Sequence, residues 1–275
     1  MTSVQKHYLT LFNDNSIIPE SVLESEHPYL SIVSHNIGTS PFWLSNSLIE
    51  NGLIGTASAI NKDLSPRSTQ DTNVVFISFL NNEDFYVSNS KKSGIDLSIN
   101  SNFKFIDLFS DLFSNRLKDP KNASRDVETM FDEVKKIIHD CQHKKRIVFI
   151  ESPEFLLSST NLTPNQLVKH LFEINKFCNL LVVISAQDSP QFVNTMAYEH
   201  SDPSFKITDF LLKLYHRSNI NINMQPLPTG RAKDITGCLT VTKGSRPFEI
   251  PGLRVYEKEY MYHIGKELGI DIYMR

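Results

Sequence analysis

Cysteine is scarce in this chain of 275 residues: Cys141, Cys178 and Cys238 are its whole complement, far apart and odd in number. They form no C-x-x-C, so neither a disulfide framework nor a zinc ribbon is expected, and a reducing compartment fits. Long apolar runs are missing too. The longest aliphatic stretch, Leu180 to Ile184, has five residues, against about 20 needed to cross a bilayer. The first residues lack a basic flank followed by an apolar core. A soluble intracellular protein, cytoplasmic or nuclear and without a membrane partner, is therefore expected. A net charge of -3 gives no global attraction to nucleic acid or anionic lipid, so any polyanion contact must come from a local patch. With hydrophobic residues at 40% and charged residues at 21%, the chain can bury a sizeable core, and disorder is not expected for most of it.

What is present is alternation. Strands are expected at Tyr29 to Val33, Val74 to Phe79, Phe103 to Ile106, Ile147 to Ile150 and Leu180 to Ile184, with amphipathic stretches between them. Ser40 and Pro41 read as an N-cap and first-turn proline, followed by Trp43, Leu44 and Leu48, with Gly52 closing the helix. Thr163, Pro164 and Gln166 form a capping box ahead of Leu167, Val168, Leu171 and Phe172. Val127, Met130, Phe131, Val134, Ile137, Ile138 and Cys141 repeat at helical spacing. After about Ser218 the period becomes two: Ile220, Ile222 and Met224 interleave with asparagines, Leu239 and Val241 alternate with Cys238, Thr240 and Thr242, and a ribbon runs from Leu253 to Ile264. The polar stretches Ser58 to Thr72, Ser88 to Asn102 and Ala186 to Ser204 read as loops, the last with some helix. With no internal repeat and no hinge-like linker, residues 1–275 are expected to be a single domain with a short N-terminal extension of about residues 1–28. A mostly parallel sheet covered by helices and finished by an antiparallel meander is the layout of the RecA-like ATPase fold.

A RecA-like ATPase carries glycines and a lysine after its first strand, to aim backbone N–H groups and a cation at phosphates. Here that place reads Ser34-His35-Asn36-Ile37-Gly38-Thr39-Ser40-Pro41, with one glycine and no lysine, and no G-x-x-x-x-G-K-[ST] occurs elsewhere. The P-loop is degenerate. The second strand, Val75 to Phe79, resembles the KaiC-like branch of RecA folds, in which paired glutamates follow; Leu80 and Asn81 stand there, with Glu83 and Asp84 just beyond as a surface turn. Glu151 ends the fourth strand where a magnesium-associated acid would sit, although without a P-loop a capping role is favoured. His139 and His143, spaced i, i+4 around Cys141, have metal-binding spacing. Lys144, Lys145 and Arg146 would repel a cation there, so a helix C-terminus with dipole-complementing bases is favoured. No G-x-S-x-G elbow is present. No catalytic residue, metal or cofactor is therefore expected.

The densest local signal is Pro226-Leu227-Pro228-Thr229-Gly230-Arg231-Ala232-Lys233-Asp234-Ile235-Thr236-Gly237, continuing through Thr242-Lys243-Gly244-Ser245-Arg246-Pro247. Arg231, Lys233, Lys243 and Arg246 face only Asp234. They either hold phosphates or form an ordinary lysine-edged hairpin that discourages aggregation. At these residues, at Ile150 to Ser158, at Glu257 to Tyr262 and more loosely at Val4-Gln5 and Leu11-Phe12, the sequence resembles the sixth-subunit family of the Elongator complex, especially its fungal members. The resemblance implies an accessory subunit in a hetero-hexameric ring with the fourth and fifth Elongator subunits, alongside the remaining Elongator subunits. It also implies tRNA binding, ATP hydrolysis only by the assembled ring, and service to a complex that adds a carboxymethyl-type group at C5 of the wobble uridine. The alternatives are a KaiC-like ATPase with a non-standard nucleotide site and, more weakly, an α/β enzyme such as a methyltransferase, which would want a glycine-rich first loop.

Overall fold

The structure is a computed structural model that describes residues 6–36, 38–92, 94–117, 123–187, 202–230, 232–247, 249–265 and 269–275. Among these, nine strands join in one sheet: β1 (Tyr29–Asn36), β2 (Thr72–Ser78), β3 (Phe103–Asp107), β4 (Lys145–Glu151), β5 (Leu180–Gln187), β6 (Ile220–Gln225), β7 (Gly237–Lys243), β8 (Lys258–Ile264) and β9 (Ile270–Met274). Their order is β3-β2-β4-β5-β1-β6-β7-β8-β9, parallel from β3 to β6 and antiparallel from β6 to β9. This is the expected RecA-like layout. The central strands β2 and β4 are buried on both faces, which explains their near-continuous apolar runs. In β6 and β7 burial alternates, because one face alone is packed on the core.

On one face lie α2 (Phe42–Ile54) and α3 (Glu83–Lys92), their Trp43, Leu44, Leu48 and Tyr86 packing on Phe76, Phe149, Tyr260 and Tyr262. The other face is covered by α4 (Ala123–His139), α5 (Phe155–Ser159), α6 (Pro164–Asn175) and α7 (Pro203–Tyr215), through Val127, Phe131, Leu167, Leu171, Phe210 and Leu214. A single turn, α1 (Glu20–Leu23), precedes the sheet. The segment before it leans on the meander, with bridges from His7 to Ile272 and from Phe12 to Val255.

All five expected strands form, as does the Thr163–Gln166 capping box. Four local expectations are corrected. Gly52 does not close α2 but lies inside it, where a Cβ would come within 2.9 Å of Ile147 Cδ1 and 3.2 Å of Val74 Cγ2. It lets the helix approach the sheet, and Gly55, at φ 90°, makes the left-handed stop. Pro41, rather than Ser40, stands at the N-cap, while Ser40 Oγ accepts from the Phe42 N–H at 3.4 Å. Glu83 and Asp84 are not a turn but the first turn of α3, which runs into the supposed loop from Ser88; a 3-10 turn at Leu97–Ile99 occupies more of it. The ribbon from Leu253 becomes a strand only at Lys258, and a further strand, β9, follows. The loop from Ala186 to Ser204 lies mostly outside the described residues; Ala186 and Gln187 belong to β5, and Pro203 starts α7. Among the described residues no helix is long and apolar enough to cross a membrane.

Candidate functional site

In an open α/β sheet the ligand crevice lies beyond the carboxyl ends of the strands, where the strand order reverses. Here that place is the end of β1, flanked by β5 and β6. Between β1 and α2 the connection is residues 37–41; residue 37 is outside the described set, and Gly38 takes φ 90°. A P-loop lysine would bring a fixed cation. His35 instead lies half-buried, and burial holds its imidazole below the usual histidine range, so the group at this edge is neutral at pH 7. The crevice is crossed by side chains. Gln187 Nε2 donates to Asn36 Oδ1 at 3.1 Å and to Asn223 Oδ1 at 2.9 Å, and Tyr215 donates its hydroxyl to Gln187 Oε1 at 3.3 Å. These bonds tie the carboxyl ends of β5, β1 and β6 together.

Glu151 ends β4 in the place of a magnesium-associated acid, and it is 4% exposed. One oxygen accepts from Ser78 Oγ at 2.5 Å and the other from the Tyr86 hydroxyl, with the Asn81 amide also interacting. Burial raises its pKa above the ordinary carboxylate value against these donors, and raises that of Tyr86 beside it. Each Glu151 oxygen thus joins β4 to an element of its own protein, β2 or α3. Asn81, found where KaiC-like folds place a glutamate, belongs to this network, whereas Leu80 is 41% exposed.

Glu154, three residues on, accepts from the Ala186 N–H at 2.9 Å, but its Oε2 is buried without a partner. Desolvation, with repulsion from Glu151, pushes its pKa up to about 7. Between the two acids Ser152 sits at φ 54°, a left-handed conformation that a non-glycine residue holds only at a cost. Sequence reading missed Tyr86 as a partner of Glu151 and Glu154 as a second buried acid beside it. The spacing Glu151-x-x-Glu154 at a strand end was the signal available.

The three described basic residues do not form one patch. Arg231 lies outside the described residues. Lys233 is exposed in the connection between β6 and β7, at the carboxyl edge of the parallel strands. Lys243 is at the far end of β7, opposite Ile220, and Arg246 follows it there; a seven-residue strand separates the two places by about 20 Å. Lys243 is ion-paired with Glu249 and its N–H bonds Glu257 Oε1. Arg246 donates to the Pro28 carbonyl at 2.7 Å. Together with Tyr29, Asn219 and Arg254, which sequence reading did not single out, they line a cavity of about 330 Å³ at the amino edge of the sheet. Gly244 lets the chain turn into this place, since a Cβ there would lie 2.1 Å from the Ser218 carbonyl oxygen.

His139 and Cys141 part company: the first is exposed, while the second is buried with its Sγ 3.5 Å from the Ile137 carbonyl. The base that serves this helix end is Arg146, whose guanidinium donates to the carbonyls of His139, Cys141, His143 and Phe177.

No family model matches the chain. Over 277 aligned residues it is 32% identical to Elongator complex protein 6 of Saccharomyces cerevisiae, covering 97% of both chains. It is 23% identical over 209 residues to the Elongator complex protein 6 homolog of Schizosaccharomyces pombe, covering 73% of this chain and 78% of that one. A RecA-like sheet whose nucleotide end is filled by its own polar side chains is thus joined to a full-length likeness, and the chain belongs to the Elongator complex protein 6 family, as a subunit of Elongator.

Proposed function

We propose that this chain is a non-catalytic RecA-like subunit of Elongator that assembles with the fourth and fifth subunits into a hexameric ring. In this reading the ring binds tRNA and supports C5 carboxymethyl-type modification of the wobble uridine, in the cytoplasm or nucleus. The identity across 97% of both chains carries the reading. Support comes from the crevice at the end of β1, where a neutral imidazole and an amide network stand in place of a phosphate cradle, and from Glu151, whose oxygens are engaged by Ser78 and Tyr86. The cations Arg231, Lys233, Lys243 and Arg246 are the proposed RNA or intersubunit phosphate contacts, with Lys233 at one end of the β6–β7 strand pair and Lys243 and Arg246 at the other.

Co-expression with the fourth and fifth subunits, followed by mass measurement, should give a ring with two copies of each chain. The isolated chain should show no ATP turnover; turnover that Glu151→Gln abolishes would establish the KaiC-like ATPase reading instead. Arg246 also anchors Pro28, so Lys233→Gln and Lys243→Gln are the cleaner probes of RNA contact. Each should weaken binding to different tRNAs alike and lower the salt slope by about one. Unchanged affinity and slope in an intact ring would remove these residues from the RNA contact.

A further inference from the structure

Five of the ten exposed large hydrophobic side chains among the described residues, Leu80, Phe85, Phe109, Phe113 and Phe155, follow the carboxyl ends of β2, β3 and β4, so they gather at one edge of the molecule. These strands are neighbours and end level, Ser78 pairing with Asp107 on one side and Glu151 on the other, which puts the chain beyond them within about 10 Å across the sheet. Phe113 shares a cavity of about 270 Å³ with Ser158 and Ser159, one turn beyond Phe155. Single exposed hydrophobics are ordinary, but a cluster of phenylalanines is not.

The backbone that presents these rings is pinned. Asp107 accepts from the N–H groups of Phe109 and Ser110, and Asn82 from that of Phe85. Phe113 rides on a π-helical turn, Leu112–Arg116, whose Arg116 is tied to Asp111 at 3.0 Å and Glu133 at 2.9 Å. Phe155 N–H bonds the carbonyl of Ser152, the residue at φ 54°. Rings fixed in this way bind without the entropy loss of ordering a loop.

At 39% to 55% exposure, the five side chains offer about 450 Å² of apolar surface, taking roughly 200 Å² for each. That suits the apolar centre of one side of a standard protein interface, about 800 Å² per partner. Among the described residues the rim is mainly acidic: Glu83, Asp84, Asp107 and Asp111 stand against Arg116 and against Lys206, which donates to the Leu157 carbonyl of α5. Such a rim repels RNA phosphate, and a two-fold pairing of identical copies would set acid against acid.

We propose that the Leu80–Phe85–Phe109–Phe113–Phe155 edge is the docking surface for a different protein chain, one that presents apolar side chains bordered by lysine or arginine. This rests on the reading of the chain as an Elongator subunit, and the fourth or fifth subunit is its occupant. The triple variant Phe109→Ser, Phe113→Ser, Phe155→Ser replaces half-exposed rings, so its circular dichroism spectrum and melting should match the wild type. Its affinity for the co-purified fourth and fifth subunits should fall 100-fold or more, and wild-type association should slow with added salt. A photo-crosslinking side chain placed at Phe109 or Phe113 in the assembled complex should label a basic, apolar segment of one of those subunits, while one at Ile99 should not. Wild-type assembly with no loss in the triple variant overturns the surface alone, as does labelling of tRNA or of a second copy of this chain. Failure of the wild type to assemble overturns the subunit reading and the surface with it. A misfolded triple variant leaves the crosslink to decide.

Discussion

Glu154 carries the plainest consequence at the scale of single residues. Its folded pKa of about 7 lies above the ordinary 4.5, so the folded protein holds a proton that the unfolded chain releases between these values. Stability is therefore greatest below pH 4.5, as far as this group is concerned, and falls as pH rises to about 7, by about 3 kcal/mol for such a shift. Glu154→Gln keeps a carbonyl for the Ala186 N–H and removes the titration. Denaturant unfolding at pH 5 and pH 7.5 should give wild type a loss that the variant lacks; equal losses would show that Glu154 is not held neutral. Glu151 was legible in the sequence as a strand-end acid. Its engagement by Ser78 and Tyr86, 73 and 65 residues away, was not, because only pairing of β2 with β4 and docking of α3 bring those hydroxyls to it.

At the scale of elements, α2 shows what local pattern conveys and where it stops. Proline near the start and glycine near the end placed the helix, yet two glycines compete for the end, and packing decides between them. Gly52 faces side-chain ends, whereas Gly55 has φ 90° and a backbone nitrogen, that of Arg67, 2.8 Å from where a Cβ would lie. Gly52→Ala should change stability by about 1 kcal/mol or less, overpacking being offset by helix propensity. Gly55→Ala should cost about 2 kcal/mol or more. Urea titration of both variants checks the order, and a reversed order would reassign the helix end. The helix α3 escaped sequence reading because its apolar face is narrow, although Glu83 and Asp84 in the first turn and Lys91 and Lys92 in the last are the charges a helix dipole favours.

At the scale of the whole molecule, an apolar edge belonging to an interface makes stability depend on partner. With partner subunits at about 100 times their dissociation constant the chain gains about 2.7 kcal/mol, or about 5 °C in melting temperature. Differential scanning calorimetry with and without the fourth and fifth subunits tests this, and an unchanged melting temperature in their presence counts against the docking surface. Of the cations of the hairpin string, Lys233 falls at one end of the strand pair and Lys243 and Arg246 at the other, so RNA contacts made by them are two contacts.

Elements, order of classes and the absent phosphate cradle were determined by the sequence itself, since periodicity, capping residues and a missing lysine are local properties of the chain. The carboxyl-edge network of Glu151, Tyr86 and Ser78, the amide latch across β5, β1 and β6, and the gathering of Phe109, Phe113 and Phe155 were decided only by the tertiary structure. Each depends on which strands lie side by side, and strand order in a parallel sheet is set by crossover connections and the packing of both faces, not by the pattern within any one strand.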